Sequence, residues 1–355
     1  MHPKQQKIQE AFARLYQKWS GEPCLDIIPV PESGSYRTYA RLKGPSHQVI
    51  AVHHTDLHEN RAFIGFAKHF ESIQLPVPQV FAVDSSEQIY LQEDFGDTDL
   101  LALLQTTATN PLTTGKRKEL LGEIIDWLPK FQIEGHKGLD YSLAYPRKVF
   151  DHQSMLWDLN YFKYNFLKMV RVGFDEQALE DDFQHLATFL SQSPLNAFLY
   201  RDFQSRNIMV CEEELGFIDF QGGRMGFPAY DLASLLFDAK AELTAEEREW
   251  LYQRYRTRLA EYQNGWDHLL DRFFPGFVLI RKLQALGAFG FRGISERKKS
   301  FLLSIPPAMR NLQWVTSNYQ LEIEIPELWR ILIDLPESSG IQSINEEINE
   351  LTTGE

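Results

Sequence analysis

The sequence predicts an α+β fold in two lobes, a small β-rich N-terminal lobe and a larger helical C-terminal lobe. Three observations carry that prediction. Segments of alternating apolar and polar residues, separated by turn residues, gather before residue 92, whereas helical periodicity dominates after residue 98. A strand, a polar turn and a second strand, FLYRDFQSRNIMV at 198–210, interrupt the helices. The divisions that follow are an N-terminal lobe at 1–95, a helical lobe at 96–335 and a polar tail at 336–355.

In chain order, Ile8, Phe12, Leu15, Tyr16 and Trp19 recur at helical spacing, so an amphipathic helix opens the chain. SYRTYARL alternates around a turn at Gly34, GPS at 44–46 turns, and QVIAV at 48–52 is a strand. ENRAFIGFAKHFESI reads as a helix with Phe63, Phe66, Ala67 and Phe70 on one face. LPVPQVFAV is extended, because each proline forces its predecessor out of the helical region. DSSEQ then turns the chain into IYLQ, the last strand before a hinge at 93–97. Beyond the hinge, KRKELLGEIIDWLPKFQ and EDDFQHLATFLSQ are amphipathic helices, and helices resume from Tyr230 to about Leu335. The segment PESSGIQSINEEINELTTGE is polar and acidic and is expected to fray.

Composition bounds the function. The 355 residues are 43% hydrophobic and 24% charged, as in an ordinary globular protein. Lys plus Arg number 36 against 49 Asp plus Glu, a net charge of −13, which repels phosphate backbones and makes nucleic acid a poor partner. Only Cys24 and Cys211 occur, without metal-ligand spacing, which argues against a disulfide framework or a zinc site and suits a reducing cytoplasm. MHPKQQKIQEAF has no apolar leader, and no apolar run approaches membrane-spanning length. A soluble cytoplasmic protein without a membrane partner is expected.

The chemistry is concentrated in the polar turn. Asp202 and Asn207 have the Asp-x-x-x-x-Asn spacing of a kinase catalytic loop, in which the Asp accepts the substrate hydroxyl proton and the Asn holds magnesium. A base must be a carboxylate within reach of the nucleophile, and magnesium requires hard oxygen ligands. IMV, CEEE and LGFI read as strand, turn and strand, and a hairpin of that length returns Asp219 towards Asn207 as the second metal carboxylate. In PAYDLASLLFDA, Asp231 lies at a helix start. It fits two compatible roles, capping that helix and holding the catalytic loop.

These motifs resemble the aminoglycoside-phosphotransferase superfamily, whose fold is protein-kinase-like. Within it the resemblance is closest to the anomeric N-acetylmuramate/N-acetylglucosamine kinases. It extends over most of the chain through SYRTYARL, HEN at 58–60, LPVPQVFAVD, IYLQEDFGD, YRDFQSRNIM, LGFIDFQ, YDLASLL and LQALGAFGFRG. The resemblance implies ATP and magnesium as cofactors, Asp202 as catalytic base, and Asn207 and Asp219 as metal ligands. It also implies Glu93 and Asp94 at the hinge, offering backbone groups to adenine. Tyr200 stands where the superfamily usually has His, and QGGR at 221–224 where the anomeric kinases carry an acid after Gln.

In IAVHH, His53 takes the place of the kinase phosphate-binding lysine. A neutral imidazole offers less to phosphate than an ammonium. Arg37, beside Gly34 and Ser35 in the glycine turn, is the candidate replacement cation, with Glu59 to orient it. Arg206, Arg224 and Asp158 are the candidate substrate contacts.

The expected activity is ATP- and magnesium-dependent phosphorylation of a hydroxyl on a small sugar or amino sugar, the anomeric hydroxyl being one option. An aminoglycoside or choline-like acceptor is the alternative, for which Trp157 and Asp158 in MLWDLNYF are the only cation-site candidates. A helix core stripe explains Trp157 more simply. A pseudokinase draws support from the missing lysine, but has no physical need to keep Asp202, Asn207 and Asp219 together.

Overall fold

The computed structural model describes residues 3–30, 37–105, 114–211 and 214–353. Strands β1 (Asp26–Pro29), β2 (Thr38–Lys43), β3 (Gln48–His53), β4 (Val80–Val83) and β5 (Ile89–Gln92) form one antiparallel sheet in the order β1-β2-β3-β5-β4. β1 escapes sequence reading because DIIP is short and does not alternate. Its proline is tolerated because the strand is at the sheet edge.

Alternation divides the two faces of this sheet. Ala40, Leu42, Val49, Ala51, Ile89 and Leu91 lie against Phe12, Leu15 and Tyr16 of the helix Pro3–Ser20. On the other face Val52 and Tyr90 join Phe63, Phe66 and Phe70 of the helix Leu57–Ser72, in a core that continues into the helical lobe. Asp56 caps that helix, accepting from the amides of His58 (2.9 Å) and Glu59 (3.3 Å). Phe63 stacks on Tyr90 (5.1 Å) and on Phe220 (5.0 Å between centroids, planes at 9°), while Phe70 meets Phe131 and Phe198 edge to face.

In the larger lobe, β6 (Ala197–Leu199) and β7 (Ile208–Cys211) flank Asp202 as expected, but they do not pair with each other. β7 pairs with β8 (Glu214–Phe217), and β6 with β9 (Arg224–Gly226). Glycine makes the second pairing possible: a Cβ on Gly226 would lie 2.6 Å from Leu199 Cδ1, and one on Gly223 2.3 Å from Phe198 Cζ. Around these strands pack His152–Phe162, Glu176–Leu190, Ala229–Leu236 and Ala245–Tyr262, with Trp266–Ala288 through the middle. Among the described residues no helix is long and apolar enough to cross a membrane.

The tail departs from expectation. Ser339–Thr353 is a helix rather than a frayed end, because Ile341, Ile344 and Ile348 recur at helical spacing and are buried. Acidic residues mask that stripe in the composition. Close packing confirms the docking, since a Cβ on Gly340 would lie 2.0 Å from the Val170 carbonyl oxygen. Ile341 is 1% exposed. Ile341→Ala is therefore expected to lower unfolding free energy by about 2–5 kcal/mol in a urea titration. A frayed tail would give a change within about 0.5 kcal/mol.

Candidate active site

The polar turn is positioned from below by Asp231. Its carboxylate accepts from the Tyr200 amide (2.8 Å), the Arg201 amide (2.9 Å) and Gln132 Nε2 (3.0 Å). Asp231 is thus a loop anchor and not a cap: Pro228 occupies the cap position, and Asp231 sits inside the first turn of Ala229–Leu236. Burial pushes its carboxyl up to about 6, while Gln132 and the two amides pull it back. Gln132 is itself fixed, its Oε1 accepting from the Tyr255 hydroxyl at 2.5 Å.

Held this way, Arg201 adopts φ +82°, a left-handed conformation that costs a side-chain-bearing residue energy. Its guanidinium supports the turn with a bidentate pair to Asp158 (2.6 and 2.7 Å) and lies over the rings of Phe150 and Tyr230. Tyr200 is fully buried and donates its hydroxyl to the Ile218 carbonyl (2.8 Å), so it fixes the residue before Asp219.

Asp202, Asn207 and Asp219 come together. The Asn207 amide nitrogen donates to the Asp202 carbonyl (2.9 Å) and to Asp219 Oδ2 (3.2 Å), and the Ile218 amide donates to the Asn207 carbonyl (3.0 Å). Asp219 has φ +69°, and its Oδ1 accepts from Gln221 Nε2 at 2.6 Å. Burial raises the Asp202 carboxyl above its usual range and the nearby Asp219 charge adds to it, against Arg281, Arg201 and Arg206. Gly222 lines the rim: a Cβ there would lie 3.8 Å from Asp202 Oδ2.

From the sheet lobe, Arg37 approaches the Asp219 carboxylate. It is 4% exposed, donates from Nη2 to Glu59 Oε2 (2.8 Å), and places Nη1 3.8 Å from Asp219 Oδ1. His53 ends β3 opposite Thr38. Sequence reasoning missed His54, whose Nδ1 lies 3.7 Å from Glu59 Oε2, and whose imidazole is held below its usual pKa by burial and by Arg37. Gly34 and Ser35 lie outside the described residues.

The remaining candidates are distributed differently. At the hinge the Glu93 amide donates to the Gln79 carbonyl (2.9 Å), and Asp94 accepts from Arg41 (2.6 and 3.0 Å), Gln48 (2.7 Å) and the Gly96 amide (3.0 Å). Arg206 is exposed beside Asp202, at a cavity of about 140 Å³. Arg224 is buried, donates to the Gly222 carbonyl (2.9 and 3.1 Å), and is lowered to about 10 by burial and by Arg201. Asp158 is not open to a cation, because Arg201 occupies both of its oxygens. Trp157 is on the surface, 46% exposed beneath the Arg147 guanidinium, and not in a core stripe; Met155, Asp158, Leu159 and Phe162 face inward instead.

Among the described residues, no three His, Cys, Asp or Glu side chains gather as a metal cluster. The side chains that do converge are the Asn207 amide, whose nitrogen lies 3.2 Å from Asp219 Oδ2, and the Asp219 carboxylate. Such a sparse hard-oxygen set suits magnesium, which takes its other ligands from phosphate and water.

The family described as "phosphotransferase enzyme family" matches residues 26–268. An N-acetylmuramate/N-acetylglucosamine kinase of Pseudomonas aeruginosa is 24% identical over 335 residues, covering 90% of this chain and 92% of the relative. A kinase of the same name from Neisseria meningitidis is 27% identical, over 73% of this chain and 75% of its own. Among solved structures, a choline kinase of Cryptosporidium parvum superposes with a TM-score of 0.57 at 12% identity, covering 91% of this chain and 99% of that one. An aminoglycoside phosphotransferase in ternary complex with ADP and hygromycin B gives 0.54 at 12%, over 86% and 97%. The two-lobed arrangement is the protein-kinase-like fold of these neighbours, and the chain belongs to the phosphotransferase enzyme family, as a small-molecule kinase.

Proposed function

We propose that this kinase transfers the γ-phosphoryl group of ATP to a hydroxyl of a small amino sugar, with the anomeric hydroxyl as the position attacked. The observation that carries the reading is the Asn207 side chain. One amide ties the loop of Asp202 (2.9 Å) to the carboxylate of Asp219 (3.2 Å). The relatives that span most of the chain, named as amino-sugar kinases, support the acceptor class.

Asp202 accepts the hydroxyl proton as the oxygen attacks phosphorus, and its raised pKa makes it a better base near neutral pH. Asn207 and Asp219 would hold a magnesium ion, which when bound neutralises charge on the β- and γ-phosphates. Arg37 stands beside Asp219 as the cation on the sheet side, with Glu59 orienting it. The Glu93 and Asp94 side chains serve the hinge itself, so any adenine contact there falls to the backbone. Because chemistry here is mainly positioning and charge neutralisation, the rigidity of these residues supplies most of the acceleration. A panel of amino sugars and amino alcohols with magnesium-ATP, read by phosphorus NMR, tests the acceptor. A sugar 1-phosphate is expected, and phosphorylation of amino alcohols alone would overturn the reading.

Asp202→Asn is expected to lower kcat by about 10²–10⁴-fold with ATP affinity nearly unchanged. In the wild type, activity rises with pH as the Asp202 carboxyl ionises above its ordinary range. Retention of more than about a tenth of kcat would remove the base role.

Asp219→Ala weakens ATP binding only when magnesium is present, measured by calorimetry with and without the ion. Equal magnesium dependence in both proteins would exclude Asp219 from the metal site.

Arg37→Ala raises the KM for ATP and lowers kcat, while His53→Ala changes both modestly at about pH 8, where imidazole is neutral. A silent Arg37→Ala beside an impaired His53→Ala would transfer the phosphate contact to His53.

A further inference from the structure

The segment after Gln132 leaves the body of the helical lobe, runs along the helix of the sheet lobe and returns. His69 Nε2, near the end of the helix Leu57–Ser72, lies 2.9 Å from the Gly135 carbonyl oxygen. About one turn earlier the helix turns Gly65 to Leu143, and a Cβ there would lie 2.2 Å from Leu143 Cδ1. Near the helix start the His58 ring stacks on Tyr145, 5.0 Å between centroids and 8° between planes. Helix numbers fall as segment numbers rise, so 135–145 is an antiparallel strap along about 16 Å of helix, at 1.5 Å per residue.

Both ends of the strap are fixed in the larger lobe. Before it, Gln132 donates to Asp231, the acid that anchors the Asp202 turn, and the Gly135 amide donates to the Lys130 carbonyl (2.9 Å). After it, the Phe150 amide donates to the Met225 carbonyl (2.7 Å) and the Met225 amide to the Lys148 carbonyl (2.9 Å), within β9. The strap also braces itself. His136 Nδ1 and the Tyr141 hydroxyl share a hydrogen bond of 2.8 Å, Asp140 accepts from the Ser142 amide at 2.8 Å, and Leu139 and Ala144 join the common core.

The strapped helix is in turn tied to its own sheet. Asn60 Nδ2 donates to the carbonyls of His54 (3.0 Å) and Glu87 (2.8 Å), and Asp56 caps the first turn. Whatever holds this helix therefore holds Glu59, and through it Arg37, which faces Asp219 of the other lobe at 3.8 Å. His58 directly precedes Glu59, so the ring stack on Tyr145 is the strap contact nearest that pair in sequence.

We propose that Tyr145 and Leu143 are positioning residues for phosphoryl transfer: by holding the helix Leu57–Ser72 to the larger lobe, they set the Arg37 guanidinium at the nucleotide phosphates. Neither residue needs to touch substrate for this. The inference rests on the reading of Arg37 as the phosphate-side cation, and adds what keeps it in place.

The test measures the affinity of the full chain for magnesium-ATP and for adenosine by calorimetry, so no acceptor is needed. Tyr145 is 41% exposed, and Tyr145→Ala removes the stack without opening a buried cavity. It is expected to weaken magnesium-ATP about three-fold or more, the worth of one aromatic pair. Adenosine carries no phosphate for Arg37 to meet, so its affinity stays unchanged, whereas a folding defect would weaken both ligands. Tyr145→Phe keeps the ring and restores magnesium-ATP binding, and Leu143→Ala repeats the pattern of Tyr145→Ala. In an Arg37→Ala background, where no guanidinium remains to be placed, Tyr145→Ala costs less than about two-fold. A loss below about two-fold in both strap variants, an equal loss for adenosine, or losses that simply multiply with that of Arg37→Ala overturn the inference. A silent Arg37→Ala instead overturns the reading of Arg37, and this inference with it.

Discussion

One buried carboxylate sets the geometry of the active-site loop. Asp231 takes the backbone amides of two consecutive residues, Tyr200 and Arg201, and a third donor from Gln132. Hydrogen bonds to a charged group contribute about 1.5–3 kcal/mol each, enough to offset both the burial of the charge and the left-handed backbone at Arg201. Since Asp202 follows directly, its direction is decided by an acid that is itself fully buried. The chain of contacts continues through Gln132 to Tyr255, so a helix far along the sequence steadies the loop.

Charge in the site follows a simple plan. Burial and the nearby Asp219 charge raise the proton affinity of Asp202, and cations stand near the two carboxylates. Arg37 supplies one of them, and a guanidinium suits the place better than an ammonium. Its forked donors reach Glu59 and face Asp219 at once, while a lysine offers a single point charge. The buried cation beside Asp219 thus comes from the residue just before β2 and not from β3, which ends at His53.

Much of this was legible in the sequence. The lobe order, the helix carrying Phe63, Phe66 and Phe70, and the return of Asp219 to Asn207 all follow from periodicity and hairpin length. What escaped depends on contacts distant in sequence. The pairing of β6 with β9 rests on Gly223 and Gly226 fitting over Phe198 and Leu199, a steric match that alternation does not encode. Asp158 reads as a cation-site candidate and Trp157 as part of a core stripe, yet Arg201, 43 positions on, claims the first, and the second lies on the surface. Arg281 and Lys282 sit in an apolar helix, where nothing local marks them as cavity-lining. The terminal helix was hidden by the acids around its three isoleucines.

Phe220 follows Asp219 directly, and its ring lies face to face with Phe63 of the sheet lobe's helix. The two lobes are therefore geared rather than simply hinged. A rotation of the sheet about the 93–97 link either carries the Asp219 segment with it or separates two stacked rings within the shared core. Recombination among relatives inherits that constraint. A chimaera joined at the link imports new partners for Phe220, Phe131 and Phe198 together, so the compatibility of two parents depends on whether these rings still fit.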